Sequence, residues 1–497
     1  NLAPTLSAGG LQAVHAGEAF TLELASSDPG EDTITTWRID WGDGQVIDYS
    51  GNPGQLTHTY SGVLGKVLIR ASATDEDGSY ALDPLEIAVL PLPLQVRDFR
   101  YDDNGFAVRF NDPFDASVIN TYDSNLAGLG IPDILLSGVA SGVVKGSVVF
   151  DADGRGLRYV VNGGGLAADS YSLVLKSGPA AFHSAFGNLD GNGDGTGGDD
   201  YLAAFTLGPV PALRLSLPDF MRGPGQAVNV PATASLLPLT LTSAGDVRNL
   251  SFTVRFDPSL LRIDGAQAGS GLPAGASLAV DTTVAGQITI TVASAAPIAA
   301  GRVTLVNLVA AVPATAAYGA VEVVDIDKVF ANQMAADRAD DDALHVVGYI
   351  GDTNGNARLD KEDVTLVQRN VLKLDRGFAA WRTIDPLMVG DVDGDGRLGT
   401  ADASRIGQKM NGYVRPEIPD VPTGINVVFA PAPSAPSLPV IDFGSSFTGF
   451  TVDATDPKFR KENWKKAFVT NMSNAFSNPN ATLKVSLDVS VQSTSST

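Results

Sequence analysis

Short apolar runs separated by turn residues fill the chain up to about residue 347, and this pattern predicts β-strands. Residues 67–69, 146–150, 157–161 and 170–175 are such runs, and residues 250–256 alternate apolar and polar positions, as a half-buried strand does. Clusters of Gly, Asp and Pro between the runs supply turns. We therefore expect a mainly β protein built from tandem β-sandwich modules.

The pattern changes after residue 347, where acidic loops precede apolar residues at helical spacing. The apolar positions are Val364, Val367, Val371 and Leu374 after the first loop, and Ile406 and Met410 after the second. These spacings predict a small α-helical domain with two helices. Residues 416–439 are rich in Pro and Ala and predict an extended linker.

Residues 440–497 predict a small α/β unit. Trp464, Phe468, Met472 and Phe476 recur every fourth residue, which gives one apolar helical face, and residues 483–491 alternate like a strand. A self-contained mini-domain is one interpretation. The other is an assembly element, because an edge strand pairs readily with the sheet of a neighbouring chain.

The composition narrows the range of partners. The chain has 56 acidic and 34 basic residues, and its net charge of −22 disfavours nucleic acid and anionic membranes as partners. It has no cysteine, which excludes disulfides and thiolate metal sites, and no apolar run of 18 residues, so we expect no transmembrane helix. Because it opens with Asn1, we expect that a signal peptide or a larger N-terminal portion is missing.

Two of the acidic loops have the ligand spacing of an EF-hand. A calcium ion takes six or more oxygens, which such a loop presents at positions 1, 3, 5, 7, 9 and 12. The first loop offers Asp352, Asn354, Asn356, the carbonyl of Arg358, Asp360 and Asp363. The second offers Asp391, Asp393, Asp395, the carbonyl of Arg397 and Asp402. The repeated offsets predict that Ca²⁺ is the cofactor of both loops.

The two loops differ at position 6, where an EF-hand turns through a backbone conformation that a side chain resists. The second loop has Gly396 at this position, and the first has Ala357. The strain should cost on the order of 1 kcal/mol. We predict that the first loop binds calcium more weakly than the second.

A third acidic cluster lies within residues 190–201. Its candidate ligands are Asp190, Asn192, Asp194, Thr196, Asp199 and Asp200. Position 12 is Tyr201, so Asp199 or Asp200 has to complete the ligand shell, and a flexible turn is the alternative interpretation. Residues 193–198 also match GxGxxG, a motif of dinucleotide-binding sites. We do not expect such a site here, because no strand–helix frame surrounds the motif and its carboxylates would repel a pyrophosphate.

No sequence motif indicates catalysis. The chain lacks GxSxG, HExxH and GxxxxGK[ST], and its four histidines are scattered. We therefore expect no enzyme activity.

The first two modules resemble known β-sandwich families. In residues 1–92, the segment 37–44 with its Trp-Gly-Asp-Gly turn, the segment 58–60 and the segment 73–79 together resemble a PKD domain, an immunoglobulin-like fold. That resemblance implies that the Trp of the first segment packs in the core and that the Gly-Asp-Gly stretch shapes a turn. Residues 93–208 resemble the Ig-like modules of bacterial surface proteins.

The next two modules resemble the two halves of a known binding pair. In residues 209–347, the segments 223–231 and 250–261 are similar to cohesin domains, which are jelly-roll β-sandwiches. The paired acidic loops of residues 348–415 resemble a type I dockerin. By loop position, the dockerin residues that select partners would correspond to Lys361, Glu362, Thr400 and Ala401.

These resemblances imply an extracellular or cell-surface, calcium-binding structural or adhesive protein of bacterial type. Its expected partners are other copies of itself or cohesin- or dockerin-bearing proteins, with the dockerin-like region bound either to its own cohesin-like region or to the next copy. The alternative function is a component of a secreted, cellulosome-like complex that degrades polysaccharides. Direct binding of cell-surface glycans is a third possibility.

Overall fold

The computed structural model describes residues 3–28, 32–336 and 338–431, and it confirms the mainly β fold class. The chain forms two compact units. The first comprises the described residues up to Pro93 together with Ala185–Gly187, and the second comprises Leu94–Ser184 and the described residues from Asn188 onward. The predicted α/β unit of residues 440–497 lies outside the described residues.

The first unit contains two antiparallel-rich sheets around one apolar core. Its strands are β1 Thr5–Gly9, β2 Ala13–His15, β3 Ala19–Ser27, β4 Thr36–Asp40, β5 Val46–Ser50, β6 Gln55–Thr59, β7 Gly65–Thr74, β8 Ser79–Ala81 and β9 Leu85–Leu90. The strand orders are β1-β3-β6 and β2-β9-β7-β4-β5, with β8 paired to β7. Trp37 and Trp41, the two tryptophans of the segment 37–44, are both fully buried in this core, in agreement with the resemblance.

The part of the second unit within residues 93–208, called here the Ig-like region, forms a sandwich of two four-stranded sheets. The strands of this part of the chain are β10 Val96–Asp102, β11 Gly105–Phe110, β12 Ile134–Gly138, β13 Gly142–Val144, β14 Gly146–Phe150, β15 Gly156–Val161, β16 Asp169–Leu175, β17 His183–Ser184, β18 Gly187–Asn188 and β19 Tyr201–Leu207. The sheet orders are β10-β11-β15-β14 and β13-β12-β16-β19. The predicted strands at residues 146–150, 157–161 and 170–175 correspond to β14, β15 and β16.

Residues 209–347, called here the cohesin-like region, form a larger sandwich. Its strands are β20 Arg214–Ser216, β21 Phe220–Arg222, β22 Leu237–Ser243, β23 Asn249–Arg255, β24 Arg262–Ala268, β25 Ser277–Asp281, β26 Gln287–Ala293, β27 Gly301–Ala311, β28 Val321–Ala331, β29 Met334–Ala335, β30 Asp340–Asp341 and β31 Ala343–Val347. One sheet has the order β24-β27-β22-β20-β30 and the other β21-β31-β28-β23-β26-β25, with β29 paired to β28. Inward-facing aliphatic residues of both sheets, such as Leu239, Val254 and Ile290, are fully buried between them.

Residues 348–415 are called here the dockerin-like region, after the resemblance of their acidic loops. They carry the helices α1 Lys361–Val371, α2 Pro386–Gly390 and α3 Thr400–Met410, and a 3₁₀ turn at Ala379–Trp381. Each long helix carries a loop acid in its first turn. Asp363 accepts the backbone N–H of Asp360 at 2.8 Å, and Asp402 accepts that of Gly399 at 2.8 Å. Leu374 lies beyond the end of α1, because that helix stops at Val371.

A shared apolar cluster joins the regions of the second unit. It contains Val160 of β15, Met221 of β21, Val346 of β31, Trp381 and Ile406 of α3. Polar contacts reinforce the junctions: Arg158 pairs with Asp342 at 2.7 Å, and the Val148 N–H donates to the Thr383 carbonyl at 2.8 Å. The dockerin-like region is therefore packed against both sandwiches of its own unit.

Residues 416–431, called here the strap, lie within the segment that the sequence predicts to be an extended linker. The Gln226 side chain donates to the Asp420 carbonyl at 2.9 Å, and Lys409 of α3 pairs with Asp420 at 2.6 Å. Ile418 is buried in the shared cluster. The strap thus contacts both the cohesin-like region and α3 of the dockerin-like region.

Among the described residues, no helix is both long enough and apolar enough to cross a bilayer.

Candidate metal centres

The second loop, residues 391–402, brings its acids together. Asp391, Asp393 and Asp395 each offer a carboxylate oxygen, and these oxygens lie within 4.8 Å of one another. Asp391 is held by its own loop, since it accepts the backbone N–H groups of Gly394 and Gly396, both at 2.8 Å. The donor set is made of oxygens, as Ca²⁺ prefers, and so these residues fit a calcium ion.

The electrostatics of the second loop agree with this fit. Burial raises the pKa of Asp391 and also that of Asp402, because each carboxylate is partly withdrawn from water near other acids. A bound divalent cation would offset that repulsion. Arg405 of α3 forms an ion pair with Asp393, so one of these acids already has a cationic partner.

The first loop, residues 352–363, is more enclosed. The Asp352 side chain is fully buried, and burial raises its pKa. It accepts the backbone N–H of Asn356 at 3.1 Å and that of Ala357 at 2.6 Å. Burial also raises the pKa of Asp363 to about 6. All of the side chains predicted to bind here supply oxygen, which fits calcium.

The predicted ligands of the first loop also bond to each other. The Asn356 amide donates to Asp360 at 2.7 Å, and the Asn354 amide donates to Asp360 at 3.3 Å. The Asn356 side chain is the main reason why the pKa of Asp360 lies below its usual value. Among the described residues, no three acids of this loop approach as closely as Asp391, Asp393 and Asp395 do.

The backbone of both loops turns as predicted at position 6. Ala357 has a φ of 64° and Gly396 has a φ of 82°, so both lie in the left-handed region. Ala357 is buried against the shared cluster, whereas a Cβ built on Gly396 would meet no described residue within 4 Å apart from its chain neighbours. The carbonyl-bearing residues Arg358 and Arg397 follow directly in each loop.

The third cluster contains some of its predicted ligands. Oxygens of Asp190, Asp194 and Asp199 lie within 4.8 Å of one another, and the Asn192 amide donates to both Asp194 and Asp199 at 3.2 Å. The Thr196 N–H bonds to Asp194 at 2.8 Å and holds the pKa of that carboxyl low.

Asp200 takes a different place from Asp199. It pairs with Lys176 at 2.7 Å and accepts the Ser177 N–H at 2.8 Å. Asp190 is buried, and one of its donors is the Gln95 side chain at 2.6 Å. Of the two acids that the sequence left open for completing this shell, the structure therefore brings Asp199 to the cluster.

Several residues at these loops carry no sequence signal. The Tyr318 hydroxyl donates to Asp352, and the Trp381 indole donates to the Asp352 carbonyl at 2.8 Å. Gln95 and Arg405 contact the other two clusters. No motif marks these residues, because each contact depends on packing between distant segments.

The histidines take part in local structure. His58 bonds to Asp43 at 2.8 Å and stacks on Trp41, while His345 bonds to Glu322 at 2.8 Å and stacks on Phe220. His15 bonds to the Pro91 carbonyl at 3.0 Å, and His183 bonds to the Ala181 carbonyl at 3.1 Å.

The four positions predicted to select a partner lie at the start of the two long helices. All of them are exposed: Lys361, Glu362, Thr400 and Ala401.

Comparison with protein families identifies one region of the chain. Residues 215–347 match the model of the Cohesin domain. A cohesin domain indicates a cellulosome-type scaffold or adhesive module. No curated protein matches the chain.

Several solved structures are similar to parts of the chain. The sixth cohesin of scaffoldin B from Acetivibrio cellulolyticus, solved in complex with a mutant dockerin, has 17% identity over 28% of this chain and 99% of that one, with a TM-score of 0.24. The seventh type I cohesin of ScaB from Pseudobacteroides cellulosolvens has 13% identity over 27% and 92%, with a TM-score of 0.23. A PKD domain of a peptidase from a Thermoplasmatales archaeon has 24% identity over 17% and 91%, with a TM-score of 0.16.

Proposed function

We propose that this chain is a non-catalytic, extracellular scaffold or adhesive protein whose dockerin-like region binds calcium and joins the cohesin-like region of another copy. The observation that carries the proposal is the coexistence of a Cohesin match at residues 215–347 with paired acidic loops whose partner-selecting positions are exposed. A chain that holds both halves of a binding pair can form head-to-tail assemblies, because contacts between different surfaces that do not close produce open chains.

Contacts within the chain favour binding between copies over binding within one copy. The dockerin-like region contacts its own cohesin-like region through Asp352 and Trp381, on the side of the first loop and the 3₁₀ turn. Thr400 and Ala401, at the start of α3, are exposed despite that contact. This exposure supports a second molecule as the occupant of the partner-selecting positions.

Calcium has a structural role in this proposal. Each EF-hand-type loop orders the start of one long helix, since Asp363 and Asp402 belong both to a loop and to the first turn of a helix. A bound ion would fix these acids and with them the orientation of α1 and α3. Chelation should therefore weaken any contact made by the exposed positions.

The test is the solution mass of the full chain, measured by light scattering after size exclusion in millimolar calcium and again in chelator. We expect multimers in calcium and single chains after chelation. The variant Ala401→Asp should shift the calcium sample toward single chains, because it places a charge at a contact position. Ala127→Asp, a matched change at an exposed alanine of the Ig-like region, should leave the multimers intact.

A single chain in both conditions would contradict self-assembly. Such a result would leave a spacer or adhesin stalk whose partner is a different cohesin- or dockerin-bearing molecule. Multimers that persist in both conditions and in the Ala401→Asp variant would show that the contact between copies lies outside the start of α3. Deletion of residues 440–497 would then test the C-terminal region as the assembly element.

A further inference from the structure

Tyr318 of the cohesin-like region lies where three segments of the second unit meet. Its ring is buried just before β28, and its hydroxyl donates to the side chain of Asp352 in the first loop. The same hydroxyl accepts the backbone N–H of Tyr349 at 3.1 Å. Donor and acceptor roles of the hydroxyl are thus both used, so its orientation toward Asp352 is fixed.

The backbone of Tyr318 is bonded to the strap. Its N–H donates to the Val428 carbonyl at 2.7 Å, and its carbonyl accepts the N–H of Ala430 at 2.8 Å. The ring of Phe429 lies edge-on to the Tyr318 ring, with 5.5 Å between the ring centroids. One residue therefore contacts a predicted calcium ligand with its side chain and the strap with its main chain.

Within the part of the chain that the structure describes, the second loop lacks such a partner at position 1. The donors to the Asp391 carboxylate among the described residues are N–H groups of its own loop, from Gly394, Asp395 and Gly396. The orientation of Asp391 is thus set locally, whereas that of Asp352 also depends on a residue 34 positions earlier in the sequence.

We propose that Tyr318 is a positioning residue for the first loop and couples calcium binding there to the seating of the strap. The inference rests on the proposed calcium binding and adds a regulatory consequence to it. Groups that bond to a metal ligand orient that ligand, and their loss typically weakens metal affinity by about 10- to 100-fold. Because binding free energies are reciprocal, a strap that stabilises Tyr318 strengthens calcium binding, and calcium in turn stabilises the strap.

The first experiment measures calcium affinity of the first loop in the full chain. Terbium is bound and then displaced by calcium, and its luminescence is excited through tryptophan, since Trp381 adjoins Asp352. The background variant, Asp391→Ala combined with Asp194→Ala, removes the second loop and the third cluster as calcium sites. In that background, Tyr318→Phe should weaken calcium binding about 10-fold. Tyr349→Phe is the matched control, because its hydroxyl bonds to the Pro224 carbonyl and its N–H is retained.

A second variant guards against a folding defect in Tyr318→Phe. Phe429 is half-exposed on the strap, so Phe429→Ala disturbs the seating of the strap without opening a buried site. This variant should also weaken calcium binding at the first loop, by less than Tyr318→Phe does. With Asp391 present, binding at the second loop should be unchanged in both variants.

The reciprocal experiment follows chymotrypsin cleavage at Phe429, with the fragments identified by mass spectrometry. Calcium should slow this cleavage in the unaltered chain, and Tyr318→Phe should abolish the protection. If the unaltered chain takes up no calcium, the proposed function and this inference fail together. If it binds calcium while both variants keep full affinity at the first loop and Tyr318→Phe keeps its calcium-dependent protection, only the coupling is overturned.

Discussion

The first and second loops have the same ligand offsets but different surroundings. Asp352 and Asp391 occupy the same position, yet the first is fully buried and contacts Tyr318, while the second is half-buried and is held by its own loop. The second loop carries four side-chain carboxylates among its predicted ligands and the first carries three, with two asparagines. A duplicated motif has thus been placed in two environments, one at a junction and one at the surface.

This difference separates two contributions to a metal site. Ligand charge predicts tighter calcium binding at the second loop, because each additional carboxylate strengthens the attraction to a cation. Preorganisation predicts tighter calcium binding at the first loop, since buried neighbours hold its ligands in place before the ion binds. The relative affinity of the two loops therefore measures which contribution is larger in this protein.

Removal of the position 1 acids should have the largest effect. Asp352→Ala and Asp391→Ala should each lose one bound calcium ion, because that acid anchors the start of its loop in both cases. The ion at the second loop of Asp352→Ala should be held more tightly than the ion at the first loop of Asp391→Ala. Calorimetric titration of each full-chain variant with calcium measures both stoichiometry and affinity.

The third cluster provides a control for that titration. Asp194→Ala should remove an ion from the Ig-like region without changing the affinity of either dockerin-like loop. A tighter first loop would refute the predicted order and would show that burial and Tyr318 outweigh ligand charge. Unchanged stoichiometry in both position 1 variants would refute calcium binding at these loops.

The sequence was sufficient to predict several of the strands, both long helices and the left-handed turn at position 6. Strand β16 follows from a short apolar run and β23 from alternation, and the starts of α1 and α3 follow from the loop acids, because these signals are local. The contact between Tyr318 and Asp352 was not predictable in this way. Alternation and periodicity show that a side chain is buried, but they do not show which distant segment covers it.

The strap also shows that local sequence signals do not reveal contacts between distant segments. Its Pro- and Ala-rich composition predicts an extended linker, yet Ile418 is buried and Asp420 contacts both Gln226 and Lys409. In the third cluster, the choice between Asp199 and Asp200 was open because adjacent residues of an extended chain point in opposite directions. Lys176, 24 residues earlier, binds the second of them.

A smaller effect is expected at position 6 of the second loop. Gly396→Ala places a methyl group at a φ of 82°, and apart from its chain neighbours no residue of the described ranges has an atom within 4 Å to pack against it. The substitution should lower the free energy of unfolding by about 1 kcal/mol, the cost of a left-handed alanine. Urea titration in chelator measures this value, and an unchanged midpoint would show that the loop relaxes around the methyl group.

The reverse substitution in the first loop, Ala357→Gly, should have the smallest effect. It relieves about 1 kcal/mol of backbone strain, but it removes a buried methyl group worth about 0.8 kcal/mol and gives the unfolded chain more freedom. These opposing terms should leave the free energy of unfolding within about 1 kcal/mol of its original value in the same urea titration. A clear stabilisation would mean that the strain is not balanced by packing. The alanine would then weaken the first loop for the reason that the sequence suggests. A near-zero change would mean that the shared cluster has absorbed the cost, so that any weakness of the first loop comes from its smaller number of carboxylates.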